Sequence, residues 1–165
     1  MSGSMTVNDT ARRPDWDDYF LDLVTEVGRR ATCDRGRSGC VIVRDKRILC
    51  TRYVGSPAGF PHCDEAGHML RRVVAEDDTV REHCVRTIHA EQNAICQAAR
   101  YGILLEGSTL YCTMEPCRTC ALLIISVGVT RVVARARYHA GADTRAMFAE
   151  AGIELTVAAD ETVTY

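Results

Sequence analysis

The stretches His89-Ala90-Glu91 and Pro116-Cys117-Arg118-Thr119-Cys120 decide how this chain folds and what chemistry it can carry. Cys117 and Cys120 stand three positions apart, so on a helix they share one face. Thiolate and imidazole are preferred zinc ligands, and a site with three protein ligands keeps a fourth position for water. Glu91, two residues after the histidine, could move protons without ligating the metal. The pattern therefore predicts Zn²⁺ held by His89, Cys117 and Cys120, with Glu91 as the catalytic group.

Only the combination of these motifs is specific. A Cys-x-x-Cys pair alone also fits redox chemistry or half of a structural zinc site. Its occurrence after His-x-Glu, with proline directly before the first cysteine, is much more informative. The alternative is a buried core histidine with two small apolar cysteines.

Composition indicates one ordinary globular domain. The chain has 165 residues, of which 47% are hydrophobic and 25% charged, a size and balance typical of a single domain. We expect the domain at 15–158, after a disordered start at 1–14 and before a tail at 159–165. The net charge of −2 argues against a nucleic-acid partner. The sequence has no apolar run of membrane-spanning length and no signal peptide, so no membrane association and a cytoplasmic location are expected.

The nine cysteines indicate metal binding and burial rather than disulfides. Their number is odd, and disulfides are rare in a reducing cytosol. Four of them lie inside apolar runs and are predicted to be small core residues: Cys40, Cys50, Cys96 and Cys112.

The order of predicted elements indicates an α/β protein with a mixed five-stranded sheet and helices on both faces. A hairpin comes first, and later strands alternate with helices, which requires parallel crossovers. Helices are predicted at 15–30, 87–101, 117–127 and 144–151, and strands at 39–43, 47–53, 109–113, 131–135 and 153–157. Residues 55–86 form a long His/Cys-rich inserted loop with a short helix near 69–74, and long loops of this kind are usually functional or disordered.

His-x-Glu with Pro-Cys-x-x-Cys is the signature of zinc nucleobase deaminases. Over roughly 17–156, the chain resembles the deoxycytidylate (dCMP) deaminase family of the cytidine deaminase superfamily. The resemblance also rests on 30–33, 43–48, 55–59, 62–68 and 84–91. It implies the three-layer cytidine-deaminase-like fold, a homo-oligomer, and zinc-dependent hydrolysis of dCMP to dUMP and ammonia. In this family Glu91 would carry protons from the zinc-bound water to the pyrimidine ring nitrogen and the departing amine.

The expected substrate contacts are Ala90, Tyr138 and Val54. Tyr138 falls where the family keeps an aromatic residue near the substrate, although it could also be a packing residue at a strand end. Val54 replaces the asparagine that holds the sugar in the family, and its side chain cannot form hydrogen bonds. A free nucleoside or another amino-substituted base therefore stays open as substrate. Arg52 could contact a phosphate or be a solvated charge at a strand end.

The resemblance also implies a second, structural zinc, since some family members carry one in the inserted loop. The candidates are Cys33, Cys63, His68, His83 and Cys84. Adjacent residues rarely ligate one tetrahedral ion together, so one of the last two is expected, and we assign His83 to the set with Cys33, Cys63 and His68. Such an ion would help a polar loop to stay folded. The alternative is that these are ordinary polar loop residues.

A catalytically silent zinc-binding module is the remaining alternative. The intact Glu91 argues against it, because a scaffold needs no proton carrier. The apolar run 121–127 is wider than one buried helix face requires, which gives weak support to a homo-oligomer.

Overall fold

The structure is a computed structural model that describes residues 13–74 and 78–163. The strands are β1 Gly39–Arg44, β2 Arg47–Tyr53, β3 Leu70–Val74, β4 Val80–Cys84, β5 Thr109–Met114, β6 Arg131–Tyr138, β7 Glu154–Val157 and β8 Thr162–Val163. The helices are α1 Trp16–Gly28, α2 Cys63–Ala66, α3 Ala90–Tyr101, α4 Arg118–Ser126 and α5 Ala142–Ala151. A mixed sheet has the strand order β2-β1-β5-β6-β7, and the short β8 pairs with β6 beside it.

Strand direction follows from the length of the connections. Asp45 and Lys46 join β1 to β2 with φ of 52° and 62°, the two left-handed residues of a tight hairpin turn. β1 is also antiparallel to β5. Helices α4 and α5 connect β5, β6 and β7, which are parallel, as crossover connections require. The predicted α/β class is confirmed.

The helices cover both faces of the sheet because side chains alternate along each buried strand. On β1, Val41 and Val43 pack with Phe20 and Val24 of α1 in one cluster. Ile42 belongs to the opposite, larger cluster, which also contains residues of α3, α4 and α5. The core therefore has two layers, and the second layer carries the helices that hold the site described below.

The inserted segment departs from the prediction. The expected short helix near 69–74 is wrong, because Leu70–Val74 forms β3, which pairs antiparallel with β4 in a separate two-stranded sheet. The adjoining β-branched residues Val73 and Val74 suit a strand. The segment is therefore not an irregular loop but the α2 turn followed by a β3–β4 hairpin.

The structure also bears on the expected tail, on Cys96 and on the expected start of the domain. Within the expected tail, Thr162–Val163 forms β8, and Glu161 accepts a backbone hydrogen bond from Arg137 at 2.8 Å. Cys96 is exposed rather than buried, because it lies on the outer side of α3. The predicted disordered start falls almost wholly outside the described residues. In the described ranges, no helix is both long and apolar enough to cross a bilayer.

Candidate metal centre and cleft

Two helix starts place the three predicted zinc ligands together. His89 is the N-cap of α3 and Cys117 the N-cap of α4, while Cys120 lies in the first turn of α4. The backbone N–H of His89 donates to Oε1 of Gln92 at 3.1 Å, a reciprocal contact that orients a helix start. His89 therefore precedes the helix rather than lying inside its first turn.

The spacing of the donor atoms fits a tetrahedral zinc ion. His89 Nδ1 lies 3.5 Å from Cys117 Sγ and 3.4 Å from Cys120 Sγ. Ordinary Zn–S and Zn–N bond lengths at a tetrahedral angle separate such atoms by roughly 3.6 Å. The three donor atoms all lie within 4.8 Å of one another. The set can hold zinc and leaves a fourth position for a non-protein ligand.

Glu91 lies beside this cluster, with Oε2 3.7 Å from Cys120 Sγ. Its side chain is buried, and removal from water raises its pKa above the usual value for a carboxyl. A carboxyl whose pKa is raised toward neutrality can both accept and return a proton at working pH.

The cluster favours one thiolate. The contact with Cys120 and then that with His89 lower the pKa of Cys117 to about 4, although burial opposes this. The same Cys117 contact raises the pKa of His89 and, together with burial, that of Cys120. A thiolate at Cys117 is the protonation state that metal binding requires.

The structure forms a second cluster from Cys33, Cys63, His68 and Cys84, whose donor atoms also lie within 4.8 Å of one another. Cys33 Sγ is 3.6 Å from His68 Nδ1, and Cys63 Sγ is 3.6 Å from Cys84 Sγ. These distances fit the roughly 3.6–3.8 Å expected between ligands of a tetrahedral zinc. Four protein donors make this a closed set, the arrangement of a structural site.

The surroundings of the second cluster also suit a metal. Asp34 Oδ1 lies 3.0 Å from His68 Nε2, so the ring can present Nδ1 to an ion in the carboxylate–histidine–metal arrangement. Burial opposes ionisation of Cys84, but hydrogen bonds from the backbone of Arg86 and Met69 and from His68 lower its pKa to about 6. Burial and the contact with Cys84 raise the pKa of Cys63 to about 12.

His83 does not belong to this cluster, which corrects our assignment. Side chains alternate along β4, so Cys84 faces Cys63 while His83 faces the other way, with its ring 5.9 Å from that of His89. Burial, and then the charge of His89, lower the pKa of His83. Of the adjacent residues His83 and Cys84, it is therefore Cys84 that belongs to the cluster.

A cavity of about 250 Å³ opens at His89. Val54 and Tyr138 line it, and both also line a small recess next to it that contains Glu91 and Cys117. The structure thus brings two of the three expected substrate contacts to the cleft. Ala90 is completely buried and lines neither cavity.

Glu115 is a part of the site that sequence reasoning missed. Its side chain is 0% exposed and pairs with Arg145, whose Nη1 lies 2.7 Å from Oε2 and 3.0 Å from Oε1. Oε2 also accepts a hydrogen bond from the backbone N–H of Tyr138 at 2.9 Å. Glu115 therefore links the segment just before Cys117 to the cleft wall that contains Tyr138. A glutamate directly before Pro-Cys is the available signal, but its partner is distant in sequence.

Comparisons with known proteins agree with this geometry. The family model for the cytidine and deoxycytidylate deaminase zinc-binding region matches residues 14–136. Deoxycytidylate deaminase of Mycobacterium phage D29 is 40% identical over 124 residues, covering 73% of this chain and 94% of the phage protein. The Schizosaccharomyces pombe deoxycytidylate deaminase is 32% identical over 149 residues, which cover 90% of this chain but 46% of that protein.

A solved structure supports the same fold. The dCMP deaminase of cyanophage S-TIM5, crystallised with dCMP and dUMP, is 25% identical with a TM-score of 0.69, covering 92% of this chain and 99% of that one. The predicted resemblance, the fold and the use of zinc by this family are thereby confirmed.

Proposed function

Because the chain belongs to the cytidine and deoxycytidylate deaminase family, we propose that it hydrolyses dCMP to dUMP and ammonia. One observation carries this proposal: His89, Cys117 and Cys120 converge at the base of a cleft with the buried Glu91 beside them. Zinc held by such a set lowers the pKa of a bound water to about 7 and so supplies a nucleophile at neutral pH.

Glu91 is proposed to move the protons. It would accept one proton from the attacking water and deliver it to the pyrimidine ring nitrogen. The second proton would go to the exocyclic amine, which leaves as ammonia while the oxygen stays on C4. The burial that raises the pKa of Glu91 favours this exchange, because its affinity for a proton lies nearer that of its partners.

Val54 and Tyr138 are proposed to position the base. Val54 is 8% exposed, and its backbone N–H and carbonyl are engaged by Ser38 and Thr32. It therefore offers an apolar wall rather than a hydrogen bond. The ring of Tyr138 can stack on a base or pack at its edge.

An ammonia-release assay tests the proposal with dCMP, CMP, deoxycytidine, cytidine and adenosine side by side. The zinc-loaded protein should turn over dCMP fastest. Glu91→Gln should keep its zinc and lose roughly 10²- to 10⁴-fold in rate, the usual contribution of a positioned proton carrier. No turnover of any substrate with zinc bound would contradict the proposal and favour a silent zinc-binding module.

A free pyrimidine nucleoside is the second candidate substrate. Val54 favours it, since the family asparagine that holds the sugar is replaced here by an apolar side chain. Deoxycytidine turned over as fast as dCMP would select this alternative and keep the chemistry.

We further propose that Cys33, Cys63, His68 and Cys84 hold a structural zinc. The closed donor set and the Asp34–His68 contact support it. Metal analysis should find two zinc ions per chain and one in Cys63→Ser, with the melting temperature lowered in that variant. Cys96→Ser, at the exposed cysteine of α3, is the matched control and should retain both ions. One zinc per wild-type chain would refute the second site.

Two broader expectations stay proposals. We propose a homo-oligomer, because α4 leaves Leu122 and Leu123 45% and 38% exposed, and light scattering would test it. We also propose a cytoplasmic location, since the nine free cysteines suit a reducing compartment. Cell fractionation would test that proposal.

A further inference from the structure

We propose that Cys63 and Cys84 form a reversible redox switch. Hydrogen peroxide would convert the two sulfurs into a disulfide, which releases the structural metal and loosens one wall of the cleft. The inference goes beyond the proposed deamination and rests on the proposed structural zinc. Both cysteines belong to the four-donor cluster with Cys33 and His68.

The two sulfurs already lie close to one another. Cys63 Sγ is 3.6 Å from Cys84 Sγ. A disulfide joins its sulfurs at about 2.05 Å, so the pair must close by roughly 1.5 Å. Cys63 begins the short α2, and Cys84 ends β4, which lies in the separate two-stranded sheet. The closure can therefore occur by a shift of the inserted segment while the main sheet stays in place.

The cleft gives a small oxidant access to this pair. Cys33 and Cys84 line the 250 Å³ cavity that opens at His89. The remaining non-cysteine donor of the cluster, His68, is an exposed residue. Cys63 and Cys84 each keep 6% of their surface exposed. Hydrogen peroxide is little larger than water, so it can reach these sulfurs from solvent.

A second close pair of cysteines provides an internal comparison. Cys40 and Cys112 are direct partners in the antiparallel register of β1 and β5, which places their Cβ atoms roughly 4.5–5.5 Å apart. Both are 0% exposed, and oxidation of a thiol requires access as well as proximity. Peroxide should therefore distinguish the pair at the cleft from the pair inside the sheet.

The oxidation balances with peroxide as the only oxidant. One sulfur attacks a peroxide oxygen, the O–O bond breaks, and a sulfenic acid and one water form. The second sulfur attacks the first, the S–O bond breaks, and a second water leaves. Two thiolates and one peroxide thus take up two protons and give one disulfide and two waters, while two electrons pass from sulfur to oxygen. Cys33 and His68 then remain as two donors, which is too few for a structural zinc site.

The cluster is joined to the cleft through the backbone and through β4. The N–H of Thr32, next to Cys33, donates to the carbonyl of Val54 at 3.2 Å, and Val54 lines the cleft. Cys84 ends β4, and three further residues of that strand line the same cavity. Loss of the metal would therefore release the base of the β3–β4 hairpin and loosen the cleft wall that it forms.

Stepwise addition of hydrogen peroxide to the zinc-loaded wild type tests the proposal. A chromogenic chelator measures released zinc, and peptide mass mapping identifies the cysteines that have formed disulfides. Trypsin reports on the hairpin, because Arg71 and Arg72 are exposed on β3. Cys96→Ser is the matched control, since it removes the exposed cysteine of α3, which can pair between chains.

The wild type and Cys96→Ser should each release one of two zinc ions and form a disulfide between Cys63 and Cys84. Trypsin should then cut at Arg71 and Arg72 about 10-fold faster, since cleavage follows the population of the open hairpin. Dithiothreitol with added zinc should restore the thiols, the second ion and the slow cleavage.

Zinc retained with Cys63 and Cys84 still reduced would overturn the switch and leave the structural zinc standing. A disulfide between Cys117 and Cys120, or inside the sheet, formed in place of this one would also overturn it. One zinc per untreated chain would reject both the switch and the structural site. None of these readouts needs turnover, so a protein that switches but does not deaminate dCMP would uphold the switch and reject the proposed function.

Discussion

Removing Arg145 should expose how strongly the buried Glu115 depends on one partner. The Glu115 side chain is 0% exposed. Nη1 of Arg145 lies 2.7 Å from one of its carboxylate oxygens and 3.0 Å from the other. In Arg145→Met the carboxylate keeps the Tyr138 N–H and a distant contact with Arg137 at 3.9 Å. The charge then lies buried with too few donors.

The magnitude follows from the burial of the two partners. Breaking a fully buried ion pair from one side costs about 3–5 kcal/mol. Arg145 itself is 41% exposed, so water can enter where its side chain was, and we expect a smaller loss of about 2 kcal/mol. For a chain of this size, that lowers the melting temperature by roughly 4–8 °C.

Urea unfolding of the zinc-loaded protein measures the loss. Arg29→Met is the matched control, because Arg29 pairs with Glu26 at 3.0 Å with both side chains largely exposed, and such pairs contribute under about 1 kcal/mol. The KM of Arg145→Met should also rise, since Glu115 holds the backbone of Tyr138. Equal losses of stability in the two variants would refute the reasoning.

Three further predictions follow from other contacts. The Arg131 hydrogen bonds lower the pKa of Asp17, so Asp17→Asn should destabilise the protein at neutral pH. An Asp17 carboxylate with a lowered pKa stabilises the fold fully above the ordinary Asp pKa of about 4, and this stabilisation is lost as pH falls below that value. The difference in unfolding free energy between wild type and Asp17→Asn should therefore shrink as pH falls below about 4. A difference that stays constant with pH would contradict this prediction. Gly141→Ala would put a Cβ 2.7 Å from Glu115 Oε2. Urea unfolding should show a loss of about 1–3 kcal/mol in the free energy of unfolding, whereas an unchanged unfolding midpoint would mean that the carboxylate moves aside. Cys96 is exposed on α3, so thiol titration of the zinc-loaded protein should show one fast reaction that Cys96→Ser removes. Several fast-reacting thiols would contradict the burial of the other cysteines.

Local chemistry explains what could be predicted from sequence. The zinc signature lies at two helix starts, and helix-start signals are local, so the sequence could predict that His89, Cys117 and Cys120 lie close together. The alternation of strands and helices likewise indicated the sheet. Both depend on residues near one another in the chain, which is where pattern arguments are strongest.

Contacts between distant segments account for the rest. The choice between His83 and Cys84 depends on which face of β4 meets Cys63, and that strand was not predicted because β3 and β4 stabilise each other only as a pair. Glu115 was missed because its partner Arg145 lies on another element. Cys96 was misplaced since an apolar neighbourhood in sequence does not say which side of α3 faces solvent.

The β3–β4 hairpin contributes a wall of the cleft but no strand to the main sheet. It is anchored at one end by the Cys33–Cys63–His68–Cys84 cluster and touches the opposite wall through Arg81 and His139. At the anchored end, Cys84 is buried in the larger core cluster and Leu70 packs against it. At the hairpin's other end the residues of β3 and β4 are exposed or half-buried, so substitutions there can reshape this wall of the cleft at little cost to the core.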